Sequence, residues 1–151
     1  MTIATGSVAT STDQLQIHNA NGYLRLAAAA TLTLSTLDVI VPTQNYNKVA
    51  VQSSTTDTCL SITTTNVAEG FVLVLVPANT AHTITFTDTA TPAAGTLSLN
   101  GNFSMTGSDA SLTLICVTQG SALYWVELAR TPTSDVGITQ GKAIALTLLF
   151  A

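Results

Sequence analysis

Charge is what this sequence has least of. Of 151 residues, 4 are Lys or Arg and 8 are Asp or Glu, so 8% of the chain is charged, against about a quarter in an ordinary soluble protein. The basic residues Arg25, Lys48, Arg130 and Lys142 are scattered along the chain. Neutralising a phosphate backbone or docking on an anionic membrane needs several such groups on one face. Neither nucleic acid nor a membrane surface is therefore an expected partner. With a formal charge of −4, the chain is expected to hold few ion pairs and to depend weakly on pH and salt. So uncharged a surface tends to self-associate, and it reads as one that partners cover; the plainer alternative is a Thr-rich secreted domain.

The other shortages exclude further classes. Two cysteines, Cys59 and Cys116, allow one bridge but no disulfide framework. Both lie in strand-like runs and read as buried free thiols packing as small hydrophobes. The longest apolar run, Phe71 to Ala78, contains Pro77 and is too short to cross a bilayer. The opening MTIATGSVATSTDQLQ lacks a basic region and an apolar centre, so no secretory signal is expected.

Chemistry is scarce as well. Hydrolysis calls for paired carboxylates, or for a nucleophile with a base and an orienting group. The acidic residues Asp13, Asp38, Asp57, Glu69, Asp88, Asp109, Glu127 and Asp135 fall mostly in turns, where an Asp accepts backbone N–H bonds. Asp109 reads as such a turn residue. His18 and His82 are far apart and have no further His or Cys at ligand spacing, whereas zinc takes three or four ligands. No metal, cofactor or glycine-rich phosphate loop is expected. Asn102-Phe103-Ser104 fits the glycosylation pattern, which reads as chance without a signal peptide. Aromatics make up 5%. Trp125, with Tyr124, Tyr46 or Tyr23, could form a sugar-stacking platform. Trp125 sits in an alternating run, however, and reads better as core or interface.

What the chain does have is 46% hydrophobic residues, with Thr, Ser, Ala and Asn in place of charge. Thr suits exposed strand positions because it is β-branched and its hydroxyl bonds water. The apolar pattern has period two nearly throughout, with no amphipathic helix and no fixed repeat. About eight to ten strands follow at roughly 8–12-residue spacing. The expected fold is all-β, a jelly-roll-like antiparallel β-sandwich over residues 23–151, preceded by an extended N-terminal arm over residues 1–22. Leu32 and Leu34 are even, while Leu37, Val39 and Val41 are odd, so a bulge or break is expected near Ser35-Thr36. Gln44 to Asn47 reads as a loop. Phe71 to Val76 is apolar on both faces, which marks a central strand; one face meets the core and the other needs a cover such as another subunit.

The two ends look built for contact. The arm carries isolated apolar anchors, Ile3, Val8, Leu15 and Ile17, suited to lying on a neighbour; a frayed terminus is the alternative. Lys142 to Phe150 places Ile144, Leu146, Leu148 and Phe150 on one face and Ala143, Ala145 and Leu149 on the other. A terminal strand so apolar must be inserted in a sheet or buried between subunits. These eight anchor residues are the candidate interface with another subunit or another protein.

Residues 95 to 130 read as a strand meander, with turns at Asn100-Gly101-Asn102, Gly107-Ser108-Asp109 and Gln119-Gly120-Ser121. Glu127 shares its strand parity with Leu123, Trp125 and Ala129, and can pair with Arg130, with a neighbour's Arg25, or lie at an interface. The pattern Gly101-Asn102-Phe103, Asp109, Leu112-Thr113-Leu114-Ile115, then Trp125, Glu127 and Arg130 resembles a β-domain common in tailed-phage virion proteins. Gly70 to Leu75 looks like that domain's preceding strand, and Gly141 to Ala145 like the ending of phage structural proteins. The resemblance spans roughly residues 70 to 150. One departure is Gln119-Gly120-Ser121 where the family often has Asp-Gly-Thr, so no role of that Asp carries over.

The resemblance implies a non-enzymatic virion protein, made in the host cytoplasm and placed on the capsid surface. A capsid decoration or cement protein is the leading expectation: a homotrimer seated on the major capsid protein that stabilises the shell. The alternative is a head- or tail-fibre tip binding a host surface glycan. A glycan depolymerase is disfavoured by the missing catalytic set.

Overall fold

The computed structural model describes residues 26–131. Eleven strands occur there and no helix: β1 (Ala30–Thr33), β2 (Val39–Ile40), β3 (Tyr46–Ala50), β4 (Thr56–Cys59), β5 (Ser61–Ile62), β6 (Val72–Pro77), β7 (Thr83–Phe86), β8 (Leu97–Ser98), β9 (Phe103–Met105), β10 (Ser111–Gln119) and β11 (Ala122–Thr131). They form a six-stranded sheet in the order β1-β3-β6-β10-β11-β8, a three-stranded sheet β4-β7-β9 and a two-stranded sheet β2-β5. The inner faces of all three share one apolar core. The all-β sandwich expected from the period-two pattern is the fold that forms.

Strand direction is where the expectation of antiparallel, jelly-roll pairing has to be corrected. The pairs β1–β3, β3–β6, β2–β5, β4–β7 and β8–β11 are parallel, and only β6–β10, β10–β11 and β7–β9 are antiparallel. The chain goes from the large sheet through the smaller ones and returns beside its earlier strand. The route β3-β4-β5 is followed by β6-β7 and then Gly95, whose carbonyl accepts the N–H of Ile62 at 2.9 Å. Parallel neighbours need a long crossover, and here strands of the other sheets supply it in place of helices. Side chains alternate with period two in either direction, so the sequence pattern does not distinguish them. The passes begin at Ala30, Tyr46 and Val72; their unequal lengths leave no sequence period.

The core explains the parity of most strands. Leu73 and Leu75 of β6 sit opposite Leu114 and Leu112 of β10, and all four are fully buried. Ile84 and Phe86 of β7 lie across from Met105 and Phe103 of β9, with the Phe86 and Phe103 rings stacked at 6.4 Å. Truncating such residues to Ala costs about 2–5 kcal/mol each. The partners of β6, β3 and β10, make it the central strand its composition suggested. On the outside of β4-β7-β9, Thr56 faces Thr83, Thr58 faces Thr85, and Thr85 faces Ser104. Hydroxyls, not charges, keep that face wet, as the Thr-rich composition predicts.

The break expected near Ser35-Thr36 is a turn: Asp38 N–H bonds the Ser35 carbonyl and Asp38 has φ 60°. The chain changes sheets there, so Ile40 points inward while Leu37 and Val41 are exposed. The polar run at Gln44 to Asn47, expected as a loop, is half strand. Asn47 belongs to β3 and is fully buried, with its Nδ2 donating to the Gln44 carbonyl and its Oδ1 accepting from Thr43. Asn45 Nδ2 reaches the Val72 carbonyl at 2.6 Å, and Gln44 Nε2 reaches the Ala28 carbonyl at 2.6 Å. These amides stitch the edges of three segments together.

Candidate functional site

Of the residues in the sequence pattern, Gly101, Asn102, Phe103, Glu127 and Arg130 meet around one turn. Their meeting depends on a bulge. In a regular strand, residues three apart face opposite sides, so Glu127 and Arg130 should not touch. In β11 the register shifts: Leu114 pairs with Glu127 but Thr113 pairs with Ala129, leaving Leu128 extra. One inserted residue reverses the parity. Glu127 and Arg130 therefore both lie on the core side, while Leu128 is 55% exposed. Leu123, Trp125 and Glu127 share a face as their spacing suggested; Ala129 does not, because the bulge turns it outward.

The Arg130 guanidinium grips the Glu127 carboxylate with two teeth, Nε to Oε1 at 2.6 Å and Nη2 to Oε2. It also donates to the carbonyls of Gly101 at 3.1 Å and Asn102 at 3.4 Å. Its centre sits 5.1 Å above the Phe103 ring, within cation–π range. The second Glu127 oxygen accepts the Asn100 N–H at 2.9 Å. Across the turn, Asp88 N–H donates to Asn102 Oδ1 at 2.8 Å, and Asp88 Oδ1 accepts the Leu99 N–H at 2.7 Å. The turn itself needs positive φ, supplied by Gly101 at 78°. Hydrogen bonds from Arg130, with that cation close by and the Asn100 N–H added, hold the Glu127 carboxyl below its usual range, against the opposing pull of its burial. Arg130 is held above its ordinary value by the same pair.

This arrangement binds a turn; it leaves no free acid. Both carboxylate oxygens of Glu127 are engaged, and five hydrogen bonds from the pair go to turn backbone or to each other. Asp109 belongs to a different loop, between β9 and β10, and does not join the cluster.

Trp125 anchors the neighbouring layer. It is fully buried, meets Phe71 edge-on at 6.2 Å, and donates from Nε1 to the Ile62 carbonyl at 2.9 Å. Trp125 is thus a core residue, as its alternating run suggested, and its indole offers no platform for a sugar. Gly95 threads between β5 and β11, with its N–H bonded to the Leu123 carbonyl. Its φ is +76°, and a Cβ there would stand 2.8 Å from the Ile62 oxygen. Nothing in the ordinary Pro92-Ala93-Ala94 run before Gly95 signals this contact.

Cys59 and Cys116 are free and fully buried. Burial pushes both thiols up, aided at Cys116 by Glu69 and at Cys59 by Asp38 and Asp57, so neither is a poised nucleophile. His82 contacts Asn79, and among the described residues no three His, Cys, Asp or Glu side chains gather as a metal site. The anchors Ile3, Val8, Leu15, Ile17, Ile144, Leu146, Leu148 and Phe150 lie outside the described residues, as do His18 and Arg25. No protein family and no curated protein matches this sequence.

Proposed function

We propose that the chain is a non-enzymatic structural protein of a phage virion, a capsid decoration or cement protein that assembles as a trimer and stabilises the shell. It acts by adhesion. Seated on the major capsid protein, its subunits bury apolar and backbone surface and so resist the pressure of packaged DNA. The observation that carries the reading is the use to which the resembling residues are put. Gly101, Asn102, Phe103, Trp125, Glu127 and Arg130 hold strands and a turn together, which suits a scaffold whose work is done at its surface. The scarcity of charge supports the same reading, since such a surface associates readily.

Immunogold labelling of intact phage particles tests this. Label distributed over the heads is expected. Label confined to fibre or tail tips favours the glycan-binding fibre reading instead, and particles without label overturn both.

A further inference from the structure

The outer face of the six-stranded sheet has the opposite character to the Thr-lined face of β4-β7-β9. Register places Val72, Ile115 and Val126 in one row across β6, β10 and β11. Val117 and Tyr124 make the next row, and Val74 and Thr113 the row before. These are the outward partners of buried Leu73, Leu114, Cys116 and Trp125, and each remains partly exposed. The face is nearly free of charge. Of the ionic side chains in this sheet, Glu127 and Arg130 turn to the core side, which leaves Lys48 at its margin opposite Val76.

We infer that copies of this chain meet through this face. The inference rests on the oligomeric half of the proposed function and not on its virion half. Two features single out a second copy as the occupant. A surface repeated on every subunit brings like groups together, so any charge on it would repel itself; here the rows carry none. Strand spacing and rise give the apolar rows an area of roughly 300–400 Å², the size of the largest patch on a typical monomer. That is about half of the ~800 Å² per partner of a standard interface, and it matches the apolar centre of one, with Thr31, Thr33 and Lys48 available as polar rim. A face of Val, Ile and Tyr held flat by three-strand register is also rigid, so little side-chain entropy is lost on contact.

The test is the mass of the full-length chain in solution, for the wild type, Ile115→Lys and the control Thr58→Lys on the hydroxyl face. The wild type and T58K should sediment as the same multiple of 15.6 kDa, and I115K as the monomer with its β-type circular dichroism intact. An I115K protein that keeps the wild-type mass overturns the face while leaving the oligomer standing; a monomeric wild type overturns both. Should I115K fail to fold, Val126→Cys treated with a flexible bis-maleimide replaces it. Covalent dimers are expected, because the single accessible thiol of each chain can be joined to one other and the buried Cys59 and Cys116 do not compete; a product that stays monomeric overturns the inference.

Discussion

At the scale of single residues, the fold is fastened at two points. Gly95 is one, because no side chain fits between its Cα and the Ile62 carbonyl and its φ is left-handed. Gly95→Ala should cost about 2–4 kcal/mol, from backbone strain together with displaced hydrogen bonds. Urea unfolding measures it, and a loss below about 0.5 kcal/mol contradicts the contact. Glu127 is the other. Its folded-state pKa lies below the unfolded value of about 4.3, so its stabilisation is complete above that pH and is lost as pH falls through the folded pKa. Glu127→Gln should therefore be less stable by about 1–2 kcal/mol at neutral pH. It should converge on the wild type as acid is added, and parallel stability curves against pH would show that the pair contributes nothing. The buried thiols give a third expectation. Cys59 and Cys116 should resist a thiol reagent in the folded protein and react on unfolding; prompt labelling of either would contradict their burial.

At the scale of elements, the β11 bulge decides which side chains can meet. Inserting an Ala after Leu128 should move Arg130 on by one place, send it to the outer face and release the turn at Asn100 to Asn102, at a cost of about 2–3 kcal/mol. Leu128→Ser leaves the spacing unchanged and should be nearly neutral, because Leu128 is exposed. Equal thermal midpoints for the two variants would refute the role of the bulge. The motif was legible in the sequence as residues, but its geometry was not: Trp-x-Glu-x-x-Arg gives no hint that one residue is looped out. Strands were legible where alternation was strong, as in Phe103–Met105, Thr83–Phe86 and Ser111–Gln119. They were misread at Asn47, a polar residue whose burial depends on partners in the preceding bend. Leu37 misled in the opposite way, as an apolar residue left exposed by a turn that changes sheets. Pairing direction was beyond reach because parallel and antiparallel strands bury the same parity.

At the scale of the whole molecule, the two faces of the sandwich divide the labour. One is covered with hydroxyls and stays wet; the other is apolar, with Lys48 alone charged at its margin. The sequence already marks Phe71 to Val76 as needing cover on its second face, and Ile115, Val117, Tyr124 and Val126 extend that surface across the sheet. Removing Lys142 to Ala151 should abolish soluble assembly, and a truncated chain that sediments like the intact one would show that this segment is not structural. The central claim, that the chain is a building unit of a virion shell, is tested most directly by counting. Quantitative mass spectrometry of purified particles should find the chain in hundreds of copies, in fixed proportion to the major capsid protein. A handful of copies per particle, or none, would contradict it.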